Sequence, residues 1–159
     1  MNYAAVLRML GFVLQFEAGF LLLPCIVALI YREKSGFAYL IMAAVCFVIG
    51  ICLSRIKGKS KNFFAKEGFA SVALSWIVMS LAGCMPFVIS GEIPKFIDAL
   101  FETVSGFTTT GASILTDVEA LSKASIFWRS FTHFVGGMGV LVFLLAILPL
   151  AGGQNMHLM

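Results

Sequence analysis

Four stretches of this sequence are long, apolar and almost free of charged side chains. The first contains one arginine and one glutamate and the other three contain no charge; they cover residues 3–31, 35–54, 68–91 and 130–159. A helix needs about 20 mainly apolar residues to cross a hydrocarbon core about 30 Å thick. The sequence therefore predicts an all-helical integral membrane protein with four transmembrane helices.

Composition supports this class and excludes several others. Hydrophobic residues make up 60% of the chain and charged residues only 12%, whereas soluble globular proteins have about 25% charged residues. The net charge is a small +3 and no basic run is interleaved with aromatic residues, so no nucleic-acid partner is expected. The chain has no Walker sequence, no HExxH motif and no paired catalytic carboxylates. We therefore expect a protein that is not an enzyme.

The connections between the apolar stretches indicate orientation. The densest positive cluster lies between the second and third stretches and consists of Arg55, Lys57, Lys59, Lys61 and Lys66. Short loops rich in lysine and arginine remain in the cytoplasm. We therefore predict that residues 57–66 form a basic cytoplasmic loop, that both termini are cytoplasmic, and that residues 91–123 face outside.

The third connection is too long for a simple turn and too polar to span a membrane. Pro94 suits the first turn of a helix, and apolar residues recur after it at helical spacing: Phe96, Ile97, Leu100, Phe101 and Val104. The pattern predicts a short helix over residues 93–107. At about 1.5 Å per residue, such a helix reaches roughly halfway through the hydrocarbon core.

Three threonines and a glycine, residues 108–111, follow this short helix. Non-helical backbone at membrane depth is tolerated only where it is buried in protein or lines a water-filled cavity. Threonine favours extended backbone and glycine permits positive φ, so consecutive carbonyl oxygens can face one side and replace the hydration shell of potassium. The negative end of the helix dipole would point to the same place. The alternative is an ordinary polar loop in the water outside.

Two motifs carry a resemblance to a known family. Residues 105–113 read SGFTTTGAS, and residues 127–140 read FWRSFTHFVGGMGV. With the predicted order of elements, they resemble the Trk/Ktr/HKT superfamily of potassium transporters, and most of all its TrkH-type bacterial subunit. The resemblance implies two leader helices in residues 1–56 and a first pore repeat in residues 67–159, with M1 at 67–91, a pore helix at 93–107, a filter at 108–113 and M2 at 124–150.

The resemblance also implies how the ion is held. The backbone carbonyl oxygens of Thr109 and Thr110 would bind potassium, and Gly111 would be the third ion-binding residue. Thr108 and Ala112 would support this filter. Potassium is then the transported substrate, and no organic cofactor is expected.

Three further features each allow two interpretations. Glu102, on the short helix, either accepts hydrogen bonds from the filter backbone or adds negative potential near the ion path. Glu17, deep in the first apolar stretch, is either structural, at a helix seam or the membrane interface, or functional. The residues Gly136-Gly137-Met138-Gly139 provide either close helix packing or a hinge.

The resemblance implies potassium uptake across a bacterial plasma membrane. The expected partners are membrane lipid, the remaining repeats of the transporter, a second copy in a homodimer, and a TrkA-like cytoplasmic nucleotide-binding regulatory subunit. Because family members carry four helix–loop–helix repeats, the chain is expected to be an N-terminal fragment that is truncated after its first repeat and does not conduct alone. The alternative is a non-conducting membrane scaffold or assembly fragment.

Overall fold

The computed structural model describes the backbone of residues 3–56 and 65–151 and the side chains of residues 3–56 and 68–142. Every regular element in this part of the chain is an α-helix, as the sequence predicted. The five helices are α1 (Tyr3–Tyr31), α2 (Gly36–Ser54), α3 (Ala65–Ser90), α4 (Phe96–Phe107) and α5 (Lys123–Ala151). The predicted basic loop at 57–66 lies almost entirely outside the described residues, as do residues 152–159.

Three helices in the described part of the chain are long and apolar enough to cross a membrane. They are α1, α2 and residues 68–90 of α3. Large apolar side chains project outward from all three, including Phe16, Phe47 and Ile77, each more than half exposed. Such a surface is unfavourable in water and compatible with lipid. The fold is therefore that of a multi-pass membrane protein.

Helices α1 and α2 form a hairpin whose backbones approach closely. A Cβ atom at Gly11 would lie 2.8 Å from the carbonyl oxygen of Gly50 and 3.0 Å from the carbonyl carbon of Leu53. Small residues allow membrane helices to pack this tightly. At the turn, the Glu33 amide donates a hydrogen bond of 2.9 Å to the Ala28 carbonyl oxygen.

The turn of this hairpin is hydrogen-bonded to the first turn of α5. Glu33 Oε1 accepts a hydrogen bond from the Lys123 amide at 2.9 Å, and Oε2 accepts one from the Ala124 amide at 3.1 Å. These amides belong to the first turn of α5, where no intrahelical partner exists. Tyr39 and Ser125 add a buried bond between their hydroxyls at 2.8 Å. A residue 90 positions earlier in the chain therefore caps α5.

Helix α4 begins at Phe96 and not at residue 93, so the predicted start was wrong by three residues. The chain leaves α3 through Gly91, whose φ is +78°. The buried Ile93 then turns back, and its amide donates to the Phe87 carbonyl oxygen at 3.2 Å. The residue before Phe96 has extended backbone, with φ −84° and ψ 119°. Pro94 therefore precedes the helix instead of occupying its first turn.

The other predicted boundaries differ less from the structure. Helix α3 covers Ala65–Ser90 where residues 67–91 were expected, and α5 covers Lys123–Ala151 where residues 124–150 were expected. Differences of one or two residues are normal at helix ends, where the last turn frays.

Candidate functional site

The backbone turns back on α4 immediately after that helix ends at Phe107. The Thr109 amide donates to the Gly106 carbonyl oxygen at 2.9 Å, and the Thr110 amide donates to the Ser105 carbonyl oxygen at 3.0 Å. These two bonds together form a Schellman cap. Residues 108–113 therefore lie across the end of α4 and are tied to its last turn.

The cap places a threonine where glycine is usual. Thr109 has φ +57°, in the left-handed region, and Gly111 has φ +74°. A β-branched residue in this region is an outlier that costs about 1–3 kcal/mol. The sequence predicted extended backbone at Thr109, which was wrong because the cap requires left-handed backbone at that position. The positive φ of Gly111 agrees with the freedom expected of a glycine.

Three consecutive carbonyl oxygens in this segment accept no hydrogen bond from the described residues: those of Thr109, Thr110 and Gly111. The next carbonyl is engaged, because Ala112 accepts a bond of 2.6 Å from the Ser105 hydroxyl. All four residues are exposed at the surface of the chain. The three residues for which the sequence predicted ion binding therefore have carbonyls without a partner among the described residues, as do Ser113 and Ile114 farther along the same stretch.

Thr108 is bound to the helix end. Its amide and its hydroxyl both donate to the Val104 carbonyl oxygen, at 2.9 and 2.7 Å. Its own carbonyl accepts a bond of 2.7 Å from the Thr109 hydroxyl. Thr108 and Ala112 therefore have engaged carbonyls on either side of the three free ones, an arrangement suited to support and not to ion contact.

Glu102 anchors the chain that follows the filter. Its Oε1 accepts hydrogen bonds from the Ser113 hydroxyl at 2.5 Å and from the Ile114 amide at 2.7 Å. Its Oε2 accepts a bond of 2.9 Å from Arg129 Nε in an ion pair. The Glu102 side chain is only 1% exposed. One buried carboxylate therefore joins α4, the segment after the filter and α5.

These contacts also determine the charge of Glu102. Burial alone raises the pKa of a carboxyl. The bonds from Ser113, Arg129 and Ile114 oppose this effect, and together they hold the pKa of Glu102 below its ordinary value. The side chain is therefore ionised at neutral pH and serves as an acceptor for all three donors.

The glycines of α5 pack against this site. A Cβ atom at Gly136 would lie 2.7 Å from the carbonyl carbon of Phe107, and one at Gly139 would lie 3.0 Å from the Trp76 ring. One at Gly137 would be 3.9 Å from Thr109 Cγ2. The structure thus favours the packing interpretation of this motif, and the hinge stays a prediction.

Two residues of this site had no assigned role in the sequence analysis. Ser105 lies three residues after Glu102, so the two share one face of α4. This spacing could have indicated that both side chains face the chain that follows α4. Arg129 lies 27 residues from Glu102 and appeared in the sequence analysis only as part of the motif in residues 127–140. No local pattern relates residues so far apart in sequence.

Comparisons with known proteins agree with this fold. The family model described as TrkH, cation transport protein, matches residues 34–159. The Trk system potassium uptake protein TrkH of Salmonella typhimurium is 39% identical over 164 residues, which cover 99% of this chain and 33% of the relative. TrkG of Escherichia coli, another Trk system potassium uptake protein, is 40% identical over 149 residues, which cover 92% and 31% of the two chains.

A solved structure is also similar to this chain. The crystal structure of the potassium transporter TrkH from Vibrio parahaemolyticus superposes with a TM-score of 0.87 at 33% identity, covering 98% of this chain and 34% of that one. The chain spans about a third of the length of the relatives that it matches. Because the family model covers most of the sequence, the chain belongs to the TrkH family of cation transport proteins.

Proposed function

We propose that this chain forms part of a potassium uptake protein and that residues 108–113 line its ion path. The observation that carries the proposal is the run of free carbonyl oxygens at Thr109, Thr110 and Gly111. Oxygens of this kind replace the hydration shell of potassium in selectivity filters. The relatives are named potassium uptake proteins, which supports the same substrate.

The proposed arrangement has four crossings and one re-entrant helix. Helix α5, with 29 residues, serves as the fourth crossing after α1, α2 and α3. Helix α4 has 12 residues and at about 1.5 Å per residue covers only about half of the core. It enters from the outside and presents its negative C-terminal end to the cation. The segment after it meets the requirement that irregular backbone within a membrane lines a cavity.

Orientation and partners follow from the same proposal. Both termini face the cytoplasm of a bacterial plasma membrane, because the basic segment 57–66 remains inside. The chain supplies one of four filter segments, and the remaining repeats of the transporter supply the others. A homodimer and a TrkA-like cytoplasmic subunit complete the assembly. A cation moving inward gains about 2.3 kcal/mol per 100 mV of membrane potential, so no catalytic group is needed.

Potassium-dependent growth and rubidium uptake test the function in cells that lack other potassium uptake systems. The chain joined to the further repeats of a TrkH transporter is expected to restore uptake, and the 159-residue chain alone is not. Failure of the joined protein, when it reaches the membrane, would support the alternative of a non-conducting scaffold.

The filter assignment is tested by Gly111→Ser with Gly91→Ser as its matched control. Both glycines have positive φ, +74° and +78°, and at both a Cβ atom would meet no atom within 4 Å. The backbone cost of a serine is therefore similar, but only Gly111 lies in the filter. We expect Gly111→Ser to abolish uptake and Gly91→Ser to retain most of it. Equal losses in the two variants would refute the assignment.

A further inference from the structure

Glu17 lies in the middle of α1 and is completely buried, with 0% of its surface exposed. There is space for the Glu17 carboxyl because the residue of α3 that faces it is a glycine, Gly83. A Cβ atom at Gly83 would lie 3.2 Å from Glu17 Oε1, 3.2 Å from Thr103 Cγ2 and 3.3 Å from Phe107 Cε2. The carboxyl therefore occupies a seam between α1, α3 and the rear of α4, and the interface placement considered from the sequence does not occur.

Neither carboxyl oxygen of Glu17 has a hydrogen-bond partner among the described residues. Three titratable side chains of α4 and α5 are engaged with one another and not with Glu17. Glu102 is paired with Arg129, and His133 Nδ1 is bonded to the Arg129 carbonyl oxygen at 2.8 Å. No ion pair in the described part of the chain includes Glu17.

In the part of the chain that the structure describes, two thiols on other helices interact electrostatically with Glu17. Cys46 of α2 and Cys84 of α3 are both buried. The Cys84 thiol donates to the Leu81 carbonyl oxygen at 3.2 Å, within its own helix. A thiol carries no positive charge at neutral pH, so neither cysteine compensates a carboxylate.

An ionised carboxylate without partners in such a seam is highly unfavourable, whereas the neutral acid is tolerated. We propose that Glu17 is a proton-binding site behind α4 and that the folded protein holds its carboxyl as the neutral acid. This site does not depend on the proposed ion path, because it requires only the seam and the absence of a partner.

Infrared spectroscopy of the chain joined to the further repeats, purified and placed in lipid, tests the protonation state. Carbon-13 at the glutamate side-chain carboxyl lowers the frequency of its carbonyl band, which identifies the band as that of a glutamate and separates it from the ester band of the lipid. At neutral pH we expect a protonated carboxyl band that is lost in Glu17→Gln and kept in Glu119→Gln. Glu119 is exposed and serves as the matched control. A wild-type spectrum without a protonated glutamate band, or a band whose intensity is the same in the wild type and in Glu17→Gln, would overturn the proposal.

Thermal unfolding over a range of pH provides a second test that does not depend on uptake. The unfolded chain releases the proton of Glu17 at an ordinary carboxyl pH, and the folded chain keeps it. The unfolding constant of the wild type relative to Glu17→Gln is then expected to rise about tenfold for each pH unit above about pH 5. Glu119→Gln should follow the wild type. A ratio that does not change with pH would contradict proton binding at Glu17.

Discussion

Replacement of Glu102 by glutamine would remove a charge and keep the shape of the side chain. The wild-type carboxylate faces Ser113 and Ile114 with one oxygen and Arg129 with the other. A glutamine can direct its single oxygen to only one of these sides. Its NH₂ group then faces either the guanidinium or the Ile114 amide, so that two donors oppose each other.

The magnitude follows from the burial of the two partners. Removing one partner of a buried ion pair costs about 3–5 kcal/mol. Glu102 is 1% exposed, but Arg129 is 18% exposed and can still reach water, so we expect the lower end, about 3 kcal/mol. In a domain of about 150–250 residues each kcal/mol lowers the unfolding temperature by about 2–4 °C, so the 159-residue chain would lose about 6–12 °C and the longer joined transporter is expected to lose less.

Thermal unfolding and rubidium uptake of the chain joined to the further repeats measure the effect of Glu102→Gln. Uptake is expected to fall, because the segment after the filter loses its anchor on α4. Asp98→Asn is the matched control: it removes an acid from the first turn of the same helix, where the charge contributes only about 0.3–1 kcal/mol. Equal unfolding temperatures and equal uptake in the wild type and Glu102→Gln would refute this reasoning.

The contacts of Glu102 also predict how its contribution to stability changes with pH. The pKa of Glu102 is lowered in the folded protein, so its contribution to stability is present above the ordinary carboxyl pKa. That contribution is lost as the pH falls through the lower folded-state value. The difference in unfolding temperature between the wild type and Glu102→Gln is therefore expected to shrink in acid, and a difference that grows would contradict the assignment.

Two further predictions concern the end of α4. Gly136→Ala would place a Cβ atom 2.7 Å from the carbonyl carbon of Phe107. Because a backbone atom can move only together with its helix, we expect the free energy of unfolding to fall by about 1–3 kcal/mol and uptake to be lost. Normal uptake would refute this. Thr109→Gly releases the strain of a threonine at φ +57°. After subtraction of the entropic cost of a glycine, we expect the free energy of unfolding to rise by about 1 kcal/mol. A lower unfolding temperature in Thr109→Gly would argue against strain at Thr109.

Hydropathy along the chain was sufficient to predict the helical class and the approximate extent of α1, α2 and α3. A helix that crosses lipid must satisfy its backbone internally and expose apolar side chains. Both requirements act on neighbouring residues, so they are visible in sequence. The motifs in residues 105–113 and 127–140 indicated the family in the same way, and the family is confirmed. The start of α4 was predicted less well, because the turn at Gly91 depends on a contact between Ile93 and Phe87.

The contacts that hold the candidate site were decided only by tertiary structure. Glu102 was singled out in the sequence, but its pairing with Arg129 required α4 and α5 to pack together. The burial of Glu17 against Gly83 required α1 to lie behind α4, and the cap from Glu33 to α5 spans 90 residues. Helical periodicity determines which face of a helix a residue occupies, but not which helix packs against that face. Close packing makes that selection, because the observed arrangement places small residues opposite bulky ones, as at Gly136 and Phe107, and donors opposite acceptors, as at Arg129 and Glu102.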